Sequence, residues 1–351
     1  MSKQIDSAPE DRSRPLVGAI RWDAWTGGDV TAQVERSLGP RKYHHRLPWF
    51  AEVTGDDTVR IDGSPQAIMD QEIDFAADAG LDYWAFLLYE EQSSMSKALA
   101  QYLASARRGR INFSVILHNA FGVGPEKWPA ERDRAVALLK EPGFQTVLGG
   151  RPLVYVFEAR FRGEPATDRV MEFRRMAEKD GLNPYMVFMG WDPAGDFKRQ
   201  SPNGYDAVSA YAYCGNQPQF TQLARSLEDS IWQKAAKANV PYVPLVTAGW
   251  EKWPRKDHPV SWELDHDYHQ QNIFPSIATP QELASHLRNA LAFVQAHPEV
   301  CAAKAVIIYA WNEHDEGGWL SPTWTPAGPD KTRLDAIRGS LGTDPRPLLH
   351  T

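Results

Sequence analysis

Eight short apolar runs punctuate the chain, with helical patterns between them. The runs are 16–22 (LVGAIRW), 82–89 (DYWAFLLY), 112–119 (NFSVILHN), 151–158 (RPLVYVFE), 185–192 (YMVFMGWD), 207–213 (AVSAYAY), 242–251 (YVPLVTAGWE) and 303–309 (AKAVIIY). Few polar residues break them, which fits strands covered on both faces, as in a parallel sheet. Between the first two, Met69, Ile73, Ala76 and Ala77 form one apolar stripe, with Ser64 and Pro65 as a start signal and Gly80 as a stop. Leu99, Tyr102, Leu103 and Ala106 mark the next helix, and others are expected near 131–140 and 167–179. Phe220, Leu223, Leu227 and Ile231 line a further one. Thr279, Pro280 and Glu282 make a capping-box start for a helix lined by Leu283, Leu287, Ala290, Leu291 and Val294. Leu334, Ile337 and Leu341 belong to the last.

Eight strand–helix units in alternation predict an α/β fold, a closed (β/α)8 TIM barrel spanning 15–345. No glycine-rich phosphate fingerprint follows the first run, which argues against a dinucleotide-binding fold. Residues 1–14 are polar, charged and aperiodic, and are expected to be a disordered tail. Residues 24–63 form a long irregular stretch, expected to be an excursion over the mouth of the barrel.

Composition narrows the partners. The chain of 351 residues carries a net charge of −7 and has no basic block, so nucleic acid is not an expected partner. No apolar run approaches the length of a membrane-spanning helix. Two distant cysteines, Cys214 and Cys301, offer neither a disulfide framework nor a metal site. The N-terminus has no apolar signal core, which reads as cytoplasmic, or as periplasmic or secreted if a leader has been removed. Oligomeric state is not legible.

Barrel enzymes place their chemistry at the C-terminal ends of the strands. Those ends hold Trp22 and Asp23, Tyr89 and Glu90, His118 and Asn119, Glu158, Trp191 and Asp192, Tyr211 and Tyr213, Trp250 and Glu251, then Asn312, Glu313 and Glu316, with Arg255 and Trp319 close by. The set is acidic and aromatic. Carboxylates and amides hold sugar hydroxyls, and ring faces stack on the apolar side of a pyranose, so the pattern predicts a carbohydrate substrate. Each member also has a plain structural alternative: rim packing for an aromatic, a helix cap for an acid, a backbone-bonded imidazole for His118. His314 either tunes a neighbouring carboxylate or faces solvent. Glu313 and Glu316, three apart in a loop after a strand, can face one small volume. Two carboxylates there repel, one keeps its proton to higher pH, and a general acid and a general base result. Glycosidic cleavage needs such a pair.

The segment WNEHDEGGWLSPT resembles the WNExxEG…P ending of family 99-type glycoside hydrolases, the endo-α-mannosidase group, and of WbsX-like proteins. The helix–strand segment at 64–89, GRPLVYVFE and GWEKWPR are similar to further segments of that group. The resemblance implies a (β/α)8 barrel, hydrolysis of α-linked glycans with retention, and no cofactor or metal. It implies that Glu313 is the base, acting on the sugar's own 2-hydroxyl, and Glu316 the acid. Mannose specificity does not carry over, because the 24–63 excursion matches nothing in the group.

Three other readings compete. A retaining glycosidase with its carboxylates after the fourth and seventh strands would use Glu158 and Glu251. A non-catalytic barrel would only bind a glycan. A metal-dependent hydrolase would use Asp23, His118 and Glu158, although the HxH pair usual after the first strand of such barrels is missing.

Overall fold

In the computed structural model the eight apolar runs become eight parallel strands: β1 (Leu16–Arg21), β2 (Tyr83–Leu88), β3 (Asn112–Leu117), β4 (Arg151–Phe157), β5 (Tyr185–Met189), β6 (Ala207–Ser209), β7 (Leu245–Thr247) and β8 (Ala305–Tyr309). The structure describes residues 14–118, 123–157, 160–161, 164–165 and 167–342, with the side chains of 160–161, 164–165 and 167 set aside. Of the expected tail at 1–14, residues 1–13 lie outside them, as do Asn119 and Glu158; Arg14 is bonded to the barrel, donating to Asp82 at 2.6 Å and to Gly80 O at 2.8 Å.

Each strand pairs in parallel with the next from β1 to β6, and β8 lies between β1 and β7. The remaining gap, between β6 and β7, is bridged by Val208 and Tyr242: the Val208 N–H donates to the Pro241 carbonyl, and the Val243 N–H donates to that of Val208. The ring is therefore nearly closed, and helices lie between the strands as the alternation requires. β8 has the predicted core 305–309 and is buried throughout. β6 and β7 are shorter than their apolar runs, because the ladder ends while the sequence stays apolar.

The barrel interior is filled by side chains. Tyr83 points inward beside Gly18, where a Cβ would lie 2.2 Å from its ring. Its hydroxyl meets that of Tyr155 at 2.7 Å. The next residue, Trp84, faces outward and packs on Tyr102 of the following helix. Each such buried side chain contributes roughly 1.5–3 kcal/mol.

The helices follow the predicted stripes. α2 (Gln66–Asp78) buries Met69, Ile73, Ala76 and Ala77. Ser64 does not cap it; its hydroxyl and N–H both donate to Asp62. The helix Pro280–Ala296 opens with the full Thr279–Glu282 capping box. The excursion contains a helix that the apolar pattern did not reveal, α1 (Gly28–Leu38), and a hairpin of Glu52–Gly55 with Thr58–Arg60. It packs against the loops that follow β7 and β8. Tyr43 Oη donates to Asp257 at 2.5 Å, Trp324 N–H donates to Leu47 O at 2.9 Å, and Pro48 bridges Thr323. No helix among the described residues is long and apolar enough to cross a membrane.

Candidate active site

The loop after β8 is a short hairpin. Asn312–Glu313 pairs with Gly318–Trp319 around the single turn His314–Glu316. Gly317 closes that turn at φ +83°, and a Cβ there would sit 2.4 Å from the Glu251 nitrogen. Gly249 takes φ +140°, and a Cβ on it would fall 2.2 Å from the Gly317 carbonyl oxygen. The two glycines let the β7 and β8 loops touch backbone to backbone. That contact brings Arg255, from the short helix Trp253–Asp257, onto the acidic turn.

Glu313 and Glu316 both lie at Arg255. Glu313 Oε1 accepts from Tyr211 Oη at 2.7 Å, and Arg255 Nη2 lies 3.8 Å from Oε2. Glu316 accepts from Tyr309 Oη and from Arg255 Nη1, and Lys252 Nζ lies 3.3 Å away. Burial, and then the charge of Glu316, push Glu313 well above the usual carboxylate range; Arg255 and the Tyr211 hydroxyl only partly oppose this. Two cations thus flank Glu316, whereas Glu313 has the Tyr211 hydroxyl and only the more distant Arg255 Nη2.

Arg255 is the hub. Its Nε donates to Asp315 at 2.6 Å and its Nη1 lies 3.0 Å from Glu263. Its guanidinium lies against the rings of both Trp22 and Trp262, at 5.1 and 5.6 Å. Burial works to raise Glu263, but Arg255 and Lys252 hold it far below the usual carboxylate range.

Aromatic side chains from successive strand ends form a wall. His118 stacks on Phe157 at 5.3 Å, and Phe157 on Tyr211 at 4.5 Å. Tyr211 meets Tyr309 at 5.7 Å, and Tyr309 meets Trp250 at 5.8 Å. Trp22 Nε1 donates to Tyr89 Oη at 2.8 Å, which carries the wall across β1 and β2. Burial lowers His118 to about 4, so it is a neutral imidazole at physiological pH.

Other predicted residues do different work. Asp23 lies with Arg21 (2.7 Å) and Asn312 (3.2 Å) beneath the excursion. Arg21 also bonds Glu72 of α2 at 2.5 Å and covers the outward-facing Trp84, so this cluster braces the barrel wall. Burial raises Asp23 to about 6 against the pull of Arg21. Asn312 is a brace too, accepting from Trp22 N–H. Trp319 is buried, stacked on His314 and covered by Arg333 at 3.9 Å. Asp192 is exposed on the rim. Glu251 is paired with Arg46 at 2.5 Å, and burial raises it despite that cation.

His314 neither tunes a carboxylate nor faces solvent. Its Nδ1–H donates to Arg46 O at 2.6 Å and its Nε2 accepts from Ser321 at 2.8 Å, which locks the excursion to the hairpin. Burial lowers it to about 3. Among the described residues no group of three or more His, Cys, Asp or Glu side chains is placed to hold a metal ion.

Sequence reasoning missed Tyr309, Lys252 and Glu263. Tyr309 was legible as the last residue of the eighth run, where strand alternation turns a ring inward. Lys252 stood beside the noted Trp250-Glu251. Nothing in the sequence marks Glu263, which reaches the site from an irregular segment.

The barrel is shared with known glycosidases. A GH99 endo-α-mannosidase from Bacteroides thetaiotaomicron, solved with bis-tris-propane, superposes with a TM-score of 0.56 over 93% of this chain and 97% of its own, at 11% identity. Another structure of GH99 endo-α-mannosidase from that organism gives 0.54 over 93% and 98%, at 12% identity. At such identities the likeness is one of fold. No family model matches the sequence, and no curated protein matches it.

Proposed function

We propose that the chain is a glycoside hydrolase that cleaves a poly- or oligosaccharide with Glu313 and Glu316 as its acid–base pair. The observation that carries this is that both carboxylates meet Arg255 and each accepts from the hydroxyl of a strand-end tyrosine, Tyr211 for Glu313 and Tyr309 for Glu316. The fold shared with endo-α-mannosidases supports it, and the resemblance of WNEHDEGGWLSPT to the family 99-type ending adds an α-linked substrate cleaved with retention.

The electrostatics favour one division of labour. The proton rests on Glu313, which makes Glu313 the donor to the leaving oxygen. Glu316, between Arg255 and Lys252, is the carboxylate that takes a proton from the attacking hydroxyl. This is the reverse of the order the family resemblance implies. Tyr211 and Tyr309 fix the two carboxylates, and the ring wall from His118 to Trp250 receives the sugar faces.

The alternative pair has weaker support. Glu251 is held by the buried Arg46 and faces the excursion, and Glu158 lies outside the described residues.

The test is hydrolysis of a panel of α- and β-linked oligosaccharides by wild type, Glu313→Gln and Glu316→Gln. Each substitution is expected to cost ~10²–10⁴-fold in kcat in a protein that stays folded at the assay temperature by circular dichroism, although Glu316→Gln, which removes a buried partner of Arg255 and Lys252, is expected to lower the melting temperature. Near-wild-type turnover by either variant refutes the pair. Binding of glycans with no turnover by wild type favours a non-catalytic barrel.

A further inference from the structure

The catalytic pair is covered in this conformation: Glu313 is 2% and Glu316 7% exposed. The irregular segment after the helix 253–257, which carries Val260, Trp262, Glu263 and Tyr268, lies on Arg255 and Lys252 beside the pair. Trp262 meets Trp22 at 5.7 Å over the hub arginine. Glu263 reaches past it into the site. Its carboxylate accepts from Lys252 Nζ at 2.9 and 3.1 Å and from Tyr268 Oη at 2.9 Å, and Arg255 Nη1 is 3.0 Å away. Two cations and a phenol on one carboxylate form a complete recognition set for that group.

The cations stay in place without Glu263. Lys252 lies over Trp250 at 4.3 Å, and Arg255 is held by Asp315 and by Trp22. The segment bearing Glu263 is anchored by the buried Val260 and Tyr268. It also contributes three of the six exposed large hydrophobic residues among those described: Trp262, Leu264 and Ile273. Part of its apolar surface is thus left in water in this conformation.

Movement of this segment, and of Glu263 with it, would uncover the side of Glu316 that Lys252 and Arg255 line. Lys252 would then keep the Glu316 oxygen at 3.3 Å and the Trp250 ring at 4.3 Å. An anion in the place of the Glu263 carboxylate would restore the charge-assisted bonds that the two cations lose.

We propose that Lys252 and Arg255 form an anion subsite beside the catalytic pair, that Glu263 fills it in this conformation, and that the substrate carries a sugar carboxylate there, as a uronic acid does. The location rests on the glycosidase reading; the test does not need turnover. Tryptophan fluorescence of the full chain is titrated with glucuronic, galacturonic and mannuronic acids and with their methyl esters, which keep the sugar and remove the charge. Glucose 6-sulfate distinguishes a sulfated sugar from a carboxylated one.

Glu263→Gln is expected to bind at least one of the acids ten-fold or more tighter than wild type, with its ester unchanged. Lys252→Met is expected to lose the preference of acid over ester. The proposal is overturned if no acid binds, if acid and ester respond equally to Glu263→Gln, or if only the sulfate binds. Hydrolysis of neutral glycans without uronate binding would sink the subsite and leave the hydrolase. Uronate binding without hydrolysis of any glycan would do the opposite.

Discussion

Arg255 offers a direct test of the electrostatic frame. Its side chain is 1% exposed, and Asp315 beneath it is fully buried. Replacing Arg255 by Met keeps much of the bulk against Trp22 and Trp262 but removes the charge. Asp315, Glu316 and Glu263 then face one another with Lys252 as the remaining cation. Breaking a buried pair from one side costs ~3–5 kcal/mol, because the abandoned charges stay in a poorly hydrated volume. A surface pair provides the contrast. Lys42 and Asp257 are also 2.5 Å apart, but they are 63% and 32% exposed, so Lys42→Ala should cost under ~1 kcal/mol. Urea unfolding at pH 7.5, followed by tryptophan fluorescence, measures both. Equal losses in the two variants, or a loss below ~1 kcal/mol for Arg255→Met, would refute the claim that burial makes this network matter.

Other perturbations follow from the same geometry. Tyr211→Phe removes a hydroxyl that lowers Glu313, so the Glu313 limb of the pH–rate profile should move upward; an unmoved limb would detach Tyr211 from the chemistry. Asp23 should titrate at about 6 by carbon-13 NMR. Its folded value stands roughly two units above the ordinary one, so that part of the stability is full below about pH 4 and is lost as pH rises through about 6, ~3 kcal/mol in all. Asp23→Asn should abolish this slope, and a wild-type titration near 4 would contradict it. Gly317→Ala forces a Cβ onto the Glu251 backbone at a left-handed φ, so it should lower stability by more than ~1 kcal/mol and reduce kcat together. A melting temperature and turnover equal to wild type would show that the two loops need no such contact.

The barrel was readable because its strands are buried on both faces and their apolar runs are nearly unbroken. β8 is the clearest case: Ala305–Tyr309 is apolar throughout and then stops at the acidic turn. α1 escaped because its buried face is Thr31, Val34, Ser37 and Leu38, half of it polar. The aromatic wall was readable from strand ends, since parallel strands in one ring deliver their ends to one side. Asp23 and Trp319 were placed at the mouth from the same cue, yet they face the barrel wall and the hairpin's packed side. Position along a strand end does not say which way a side chain turns once the chain leaves the ladder. The Glu263 contacts with Lys252 and Arg255 depend on the course of an irregular segment, which no periodicity encodes.

The claim that Glu313 and Glu316 divide acid and base duties, with the proton on Glu313, is tested most directly by leaving-group dependence. Once an oligosaccharide substrate is in hand, Glu313→Gln and Glu316→Gln are assayed on it and on its nitrophenyl glycoside, whose leaving group needs no proton. The account predicts that Glu313→Gln recovers most of its lost kcat/KM on the nitrophenyl substrate, while Glu316→Gln stays ~10²–10⁴-fold down on both. Recovery by Glu316→Gln instead would reverse the roles, and near-normal rates for both variants would contradict the pair itself.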